Sequence, residues 1–364
     1  MGRMHQGSRA PFVRTAAPAL LALAGVIAGR PAPAQQPSPA AAPAGEGVAA
    51  PPPAPSPAEI DLAAAEALRA AGRHEDALGW YERAIERGSG QVRAQALFGA
   101  GEAELALGRH YEAYLRFDRL LREHADFPAL GRAIQRSYEI GVAFIEGKAR
   151  RPWLCWQVRS PALGAEILAR LVDNYQENYF DYALLLIGDH HFAEGEWRRA
   201  ADAYLRLEQE FPDSEWAGTA LLRRALCELE LSAGYRYDDQ PVRRAEQLLL
   251  EYLRRYPRGD RVPEARAALG RIAEMRARLY LDNARYYLRN EGRPRAALVY
   301  LEAVLRECPL AEAAARAPAL LEQVAARARA QGDGAVAERA LRLAGELARV
   351  RAAAATPSAT GTER

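Results

Sequence analysis

The chain has 364 residues, of which 49% are hydrophobic and 26% are charged, and its formal net charge is +2. This composition is typical of a folded protein and not of an intrinsically disordered one. A nearly neutral chain has no strong electrostatic attraction for nucleic acid or for an anionic membrane surface, so neither is expected as its main partner.

Residues 1–34 have the pattern of a secretory signal peptide. Basic residues precede a short apolar run at 16–29, and the small-x-small sequence at 32–34 resembles a cleavage site. The apolar run is shorter than the roughly 20 residues of a membrane-spanning helix. We therefore expect export to the periplasm and association with the outer membrane at most at its periphery. Whether the signal is cleaved or kept as an anchor stays open, and no cysteine follows the run to carry a lipid.

The remaining chain divides by composition into three parts. Residues 35–57 are rich in proline and alanine and are predicted to be a disordered linker. Residues 58–349 show apolar residues at helical spacing, with an insertion at 148–161 bounded by charged residues and proline. Residues 350–364 are predicted to be a disordered tail.

A repeated pattern runs through the helical part and starts at four glycines, Gly72, Gly108, Gly195 and Gly292. Each is followed by a small residue at +5 and by larger apolar or aromatic residues at +9 and mostly at +12, and the last two units add a proline at +17. These residues are Ala77, Tyr81 and Ala84; Ala113, Phe117 and Leu120; Ala200, Tyr204, Leu207 and Pro212; and Ala297, Leu301, Val304 and Pro309.

These offsets have a physical meaning in a pair of antiparallel helices. The glycine ends the first helix, because it adopts the left-handed conformation that reverses the chain. The small residue lets the second helix come close, the residues at +9 and +12 fill the space between the helices, and proline ends the second helix. Two units also have a glycine seven residues before the turn, Gly101 and Gly188, which we expect opposite the +5 position.

The pattern predicts an all-α protein, an α-solenoid of five to six stacked helix pairs over residues 58–349. Less regular pairs are predicted at 133–147 with 162–176, at 217–231 with 241–256, and at 316–330 with 334–348.

These residues resemble the tetratricopeptide repeat family. Within it, the likeness is best to the D subunit of the outer-membrane β-barrel assembly machinery, from Trp197 to about Leu343. It rests on the helix ends Phe211-Pro212 and Tyr256-Pro257, the loop 238–240, and Tyr286-Tyr287 before a glycine turn.

The resemblance implies a protein without enzymatic activity that assists outer-membrane β-barrel assembly by binding the barrel-forming subunit and unfolded clients. It suggests Arg289 to Arg293 as a docking edge. The absent lipidated cysteine and the insertion at 148–161 depart from that family. The alternative is an envelope scaffold of the Tol–Pal, cell-division or cell-wall kind that bridges periplasmic proteins.

No catalytic, cofactor or metal-binding motif is present in the sequence, so neither an enzyme nor a cofactor is predicted. The adjacent His190 and His191 point about 100° apart on a helix and do not share a metal ion. Glu102 and Glu104 are expected on the helix surface. The three cysteines, Cys155, Cys227 and Cys308, are interpreted as packed thiols, with one disulfide as the alternative.

A peptide-binding groove on the concave surface is predicted by counting back from the turn glycines to the inward-facing positions of each first helix. Two hypotheses stay open for these residues: they hold an extended peptide, or they cover neighbouring helices. Trp153 and Trp156 in the insertion are interpreted either as a plug or as an exposed anchor for a partner. The groove candidates are Phe98, Glu102, Tyr182, Leu185, Asp189 and Phe192.

Overall fold

The structure, a computed structural model, describes residues 54–153, 156–232 and 239–355, and for 151–157 it describes only the backbone of the strand residues. The predicted signal peptide, almost all of the predicted linker and Cys155 lie outside the described residues. So does the tail from residue 356 onward.

The predicted all-α class is confirmed, with fourteen α-helices in the described ranges forming seven consecutive pairs instead of five to six. None of these helices is both long and apolar enough to cross a lipid bilayer. The helices are α1 Pro57–Ala70, α2 His74–Arg87, α3 Gly90–Ala106, α4 His110–Glu123, α5 Leu130–Ile145, α6 Pro161–Asn174, α7 Phe180–Ala193, α8 Trp197–Glu210, α9 Ala217–Leu231, α10 Gln240–Arg255, α11 Val262–Arg289, α12 Pro294–Glu307, α13 Ala317–Ala330 and α14 Gly334–Ala355.

Both ends of the helical region differ slightly from the sequence boundaries. The first helix begins at Pro57, one residue before the predicted start, because Ser56 caps it with a reciprocal bond to Glu59. The last helix continues to Ala355, past the limit predicted at 349, because 350–355 contains only good helix formers and Val350. A short 3₁₀ helix, Ala313–Arg316, precedes α13.

The insertion between α5 and α6 contains a small antiparallel hairpin. Its strands are β1, Arg151–Trp153, and β2, Trp156–Val158, and Trp153 lies opposite Trp156 in the register. The side chains of both tryptophans lie outside the described residues, so their role as plug or anchor stays a prediction.

The repeat pattern defines the core of each pair. Each of the twelve residues at +5, +9 and +12 is at most 1% exposed, as the pattern predicts. The turn glycines have positive φ angles, for example +76° at Gly195, where a side chain would be strained.

A close helix contact under an aromatic ring adds one detail to the sequence interpretation. A Cβ atom at Gly188 would lie 2.4 Å from Tyr204 Cε1, and one at Gly101 would lie 2.7 Å from Phe117 Cε1. The nearest atoms to these glycines therefore belong to the aromatic residue at +9, and the predicted position opposite the small residue at +5 stays a prediction. The ring needs the space of the missing side chain, because interiors pack without room for an extra methyl group.

Helix α11 interrupts the regular alternation of short helices. It has 28 residues, twice the length of α12. Its first half contributes Ala268 and Ile272 to a core shared with α9 and α10. Its second half contributes Leu281 and Leu288 to a separate core with α12, α13 and α14. One continuous helix therefore joins the C-terminal pairs to the preceding ones.

Two of the three cysteines are free thiols packed in the core. Cys227 lies in α9, and Cys308 follows the last residue of α12. Burial raises the pKa of Cys227 to about 12 and that of Cys308 to about 11, so both stay protonated and unreactive near neutral pH.

The contact between Gly188 and Tyr204 gives a direct stability test. We expect Gly188→Ala to lower the free energy of unfolding by about 1–3 kcal/mol, because the added methyl group overpacks the ring. The matched control is Gly79→Ala on α2, where a Cβ meets nothing within 4 Å. It should be neutral or raise stability by about 0.5–1 kcal/mol. Urea unfolding followed by circular dichroism measures both, and equal effects would contradict the packing argument.

Candidate protein-binding face

The predicted groove residues lie on the first helices of two repeats, and we call these six residues the first-helix face. Phe98 and Glu102 are on α3, and the other four residues, Tyr182, Leu185, Asp189 and Phe192, are on α7. Spacings of three and four residues place the members from each helix on one side of that helix. The first-helix face is therefore presented by the first helices of the second and fourth pairs.

Leu185 is not available to a partner, contrary to the prediction. Its exposure is only 4%, and it belongs to the main hydrophobic core. The neighbouring positions Tyr182 and Asp189 remain partly exposed. Adjacent helices pack on Leu185 and cover it, so this residue stabilises the stacked helices and does not contact a partner.

The aromatic members of the face are half-buried and touch rings of neighbouring elements. The Phe98 ring centroid is 5.7 Å from that of Phe127, just before α5. Tyr182 is 5.4 Å from Trp216, just before α9. These contacts agree in part with the hypothesis that the residues cover neighbouring helices. The remaining surface of each ring faces solvent.

Phe192 completes the face at the end of α7. Its ring is 4.8 Å from Trp197 in an edge-to-face arrangement. The guanidinium carbon of Arg223 lies 5.7 Å from its centroid, a cation–π distance.

The two acids of the face are neutralised by arginines of the next repeat. Glu102 accepts a hydrogen bond of 2.7 Å from Arg136 Nε. Asp189 accepts one of 2.5 Å from the Tyr204 hydroxyl and lies 3.8 Å from Arg223 Nε. Burial, together with the bond to Asp189, raises the pKa of Tyr204, so its phenol stays protonated and continues to donate.

The tetratricopeptide repeat family model matches residues 182–214. This stretch starts at Tyr182, includes the turn glycine Gly195 and the core ring of Tyr204, and ends just after Pro212. It is one full unit of the pattern. Residues 182–214 form a tetratricopeptide repeat.

The chain is also similar to several solved structures at low identity. YrrB, a tetratricopeptide protein with an unusual peptide-binding site, is 19% identical, with 58% of this chain and 92% of that chain covered and a TM-score of 0.31. The apo quorum sensor NprR from B. thuringiensis is 15% identical, with 80% and 76% covered and a TM-score of 0.30. The TPR2AB domain of yeast Sti1, solved with pHSP90, is 16% identical, with 80% and 85% covered and a TM-score of 0.29.

None of the curated proteins compared with the chain matches it in sequence. Tetratricopeptide repeats bind other proteins or peptides, and they are typical of interaction scaffolds and not of enzymes.

The tetratricopeptide period explains which face residues the sequence count missed. Residues at equivalent positions of successive repeats meet, so Arg136 and Glu102 are 34 residues apart, as are Arg109 and Glu75. The residues 34 positions after Tyr182 and Asp189 are Trp216 and Arg223, and these are the equivalent residues of the next repeat. The count from turn glycines overlooked them because the chain after α9 has no glycine at the expected position.

Glu104 also differs from its prediction as a surface residue. It is 6% exposed, and its carboxylate lies 3.5 Å from Arg109 Nη1. Burial raises its pKa, and the charge of Arg109 opposes the rise only in part. Glu102, two residues earlier, faces the opposite side of α3 and does form part of the face.

The histidines form no metal centre with neighbouring groups, and the described ranges hold no cluster of three potential ligands. His191 Nδ1 lies 2.7 Å from Glu196 Oε2. Burial lowers the pKa of His190, which favours its neutral form. His74 and His110 begin α2 and α4, each two residues after a turn glycine.

The docking candidates lie at the turn between α11 and α12. Arg289 is exposed at the end of α11. Arg293 is exposed after Gly292 and lies 3.0 Å from Glu291. Their guanidinium groups are accessible at this edge, and whether a partner uses them stays a prediction.

The bond between Asp189 and Tyr204 can be tested by a double-mutant cycle. We expect Asp189→Leu to lower the free energy of unfolding by about 1–3 kcal/mol, because the buried Tyr204 hydroxyl loses its acceptor. Adding Tyr204→Phe should recover part of that loss, with a coupling of about 0.5 kcal/mol or more in urea unfolding. Strict additivity of the two changes would show that the bond contributes nothing to stability.

Proposed function

We propose that this protein binds an extended segment of a partner protein along its first-helix face, and that it assists the assembly of outer-membrane β-barrel proteins in the periplasm. Protein binding follows from the tetratricopeptide repeats. The barrel-assembly role is supported by the resemblance of residues 197–343 to the D subunit and by the signal-like sequence at 1–34.

The observation that carries the binding proposal is a series of half-buried aromatic side chains on, or directly before, consecutive first helices. Phe98, Tyr138 and Tyr182 lie on α3, α5 and α7, and Trp216 directly precedes α9. Aromatic side chains dominate the energetics of protein interfaces, because they bury a large area with few rotatable bonds. A series that continues over four repeats suits an extended chain better than a compact ligand.

The charges of the face favour an apolar segment over a charged chain end. Glu102 is paired with Arg136, and Asp189 is close to Arg223, so their charges largely cancel. Lys148 is the only lysine of the chain, so the lysines with which some repeat proteins hold a terminal carboxylate are absent from the face. The apolar side of a β-barrel strand before it folds has the required chemistry.

A second partner would dock at a different place from the client. Arg289 and Arg293 at the turn after α11 offer exposed guanidinium groups that suit acidic residues. Trp153 and Trp156 of the insertion are a further candidate contact. A barrel-forming subunit bound there would leave the first-helix face free to receive clients.

The alternative function is an envelope scaffold that bridges periplasmic proteins, with the proline-rich segment 35–57 as its tether. Stacked repeats can serve this role as well. Two departures from the D subunit favour it: no cysteine lies directly after the predicted signal, and the insertion at 148–161 is not typical of that family.

Replacing three face residues tests client binding. We expect the combined change Phe98→Ala, Tyr182→Ala and Phe192→Ala to weaken binding of a strand peptide from a β-barrel protein by about tenfold or more, because interface anchors each contribute over ~1 kcal/mol. Fluorescence anisotropy with a labelled peptide measures this. The control replaces exposed apolar residues outside the face, Leu115, Leu250 and Val299, by alanine and should change nothing. Equal losses in both variants would contradict the binding site.

Co-purification from envelope extracts distinguishes the two functions. Recovery of a large outer-membrane barrel protein with periplasmic repeat domains supports the assembly role, and Arg289→Glu with Arg293→Glu should reduce that recovery. The matched control is Arg342→Glu, a charge change on α14 away from this turn. Recovery of cell-division or cell-wall proteins alone would contradict the assembly role and support the scaffold.

A further inference from the structure

A cavity of about 360 Å³ lies between the second helices α4 and α6, apart from the first-helix face. Its volume falls within the usual range of small-ligand sites, about 300–1,000 Å³. The apolar part of its lining comes from Leu121, Ile167 and Leu171. It can therefore accommodate a compact apolar group.

Two guanidinium groups are fixed at this cavity by one buried acid. Asp118 is 7% exposed and accepts hydrogen bonds of 2.5 Å from Arg122 Nη2 and 2.8 Å from Arg170 Nη1. A guanidinium has five N–H donors in one plane, and these bonds use only a part of them. The arginine side chains are 68% and 43% exposed, so their other donors remain accessible.

Two phenol groups add further donors to the lining. Tyr114 is 7% exposed, and neither its hydroxyl nor that of Tyr175 donates to an acceptor within the described residues. Burial, and next the charge of Asp118, raise the pKa of both phenols. Both therefore keep their proton near neutral pH and can donate it to a ligand.

The lining thus has more donors than acceptors. Each carboxylate oxygen of Asp118 already accepts one arginine donor, and Glu166 binds Arg170 at the exposed rim at 2.9 Å. An anionic ligand would accept from the donors of Arg122 and Arg170 that Asp118 and Glu166 leave unused, whereas a cationic ligand would find both carboxylates already paired.

We propose that this cavity binds a carboxylate attached to a compact apolar group, with the carboxylate on Arg122 and Arg170 and the apolar part against Leu121 and Leu171. The ligand is either a free small carboxylic acid or a carboxylate at the end of a polypeptide. The site is independent of the first-helix face, and its variants leave that face unchanged.

Calorimetric titration of the full chain with phenylacetate and with phenylacetamide tests the site. The acid should bind, and the neutral amide should bind about tenfold more weakly or not at all, because charge-assisted hydrogen bonds are lost. Arg122→Gln should weaken phenylacetate binding by about tenfold. The control is Arg119→Gln on the same helix, which pairs with Glu123 outside the cavity and should not alter binding.

A second pair of probes identifies the source of the carboxylate. Tighter binding of N-acetylphenylalanine than of phenylacetate supports a polypeptide end, and the reverse order supports a free acid. Thermal unfolding of Arg122→Gln should remain cooperative and show that the variant folds, since the buried Asp118 keeps its hydrogen bond from Arg170. Equal affinity for acid and amide, binding of neither, or no effect of Arg122→Gln would overturn the proposal.

Discussion

The architecture depends on helices that approach closely where a glycine lies under an aromatic ring. Gly188 lies against Tyr204, and Gly101 against Phe117, at distances that leave no room for a side chain. This contact fixes how the two helices of a pair cross, and the turn glycines fix where the chain reverses. With both constraints in place, successive pairs stack with the same register, so residues one period apart become neighbours.

That register explains the chemistry of the first-helix face. An acid in one repeat meets an arginine at the equivalent position of the next, as Glu102 meets Arg136 and Asp189 meets Arg223. These pairs cancel charge and hold neighbouring repeats together, and aromatic rings fill the positions beside them. The result is a nearly neutral aromatic surface with acidic and basic groups that are already paired, which suits an apolar extended segment.

The sequence predicted the core well, because a pattern of small and aromatic residues admits one packing solution. Tyr204 and Phe117 are buried as predicted, but their close contacts with Gly188 and Gly101 were not, since helix spacing alone does not show how far a ring reaches. Leu185 was predicted to line the groove because helical spacing shows on which side of a helix a residue lies. It does not show how far neighbouring helices cover that side. The length of α11 was not predicted, because the repeat pattern implies short helices and Gly270 lies inside this helix without ending it.

The central claim is that partner polypeptides contact the first-helix face. The most direct measurement places the photo-crosslinking residue benzoylphenylalanine at Tyr182, or at exposed Leu115 on the second helix α4 as the control, in cells that produce the full chain. The account predicts that irradiation joins partner polypeptides to position 182 and not to position 115. Crosslinks at 115 alone, equal crosslinking at both positions, or none at 182 would contradict it.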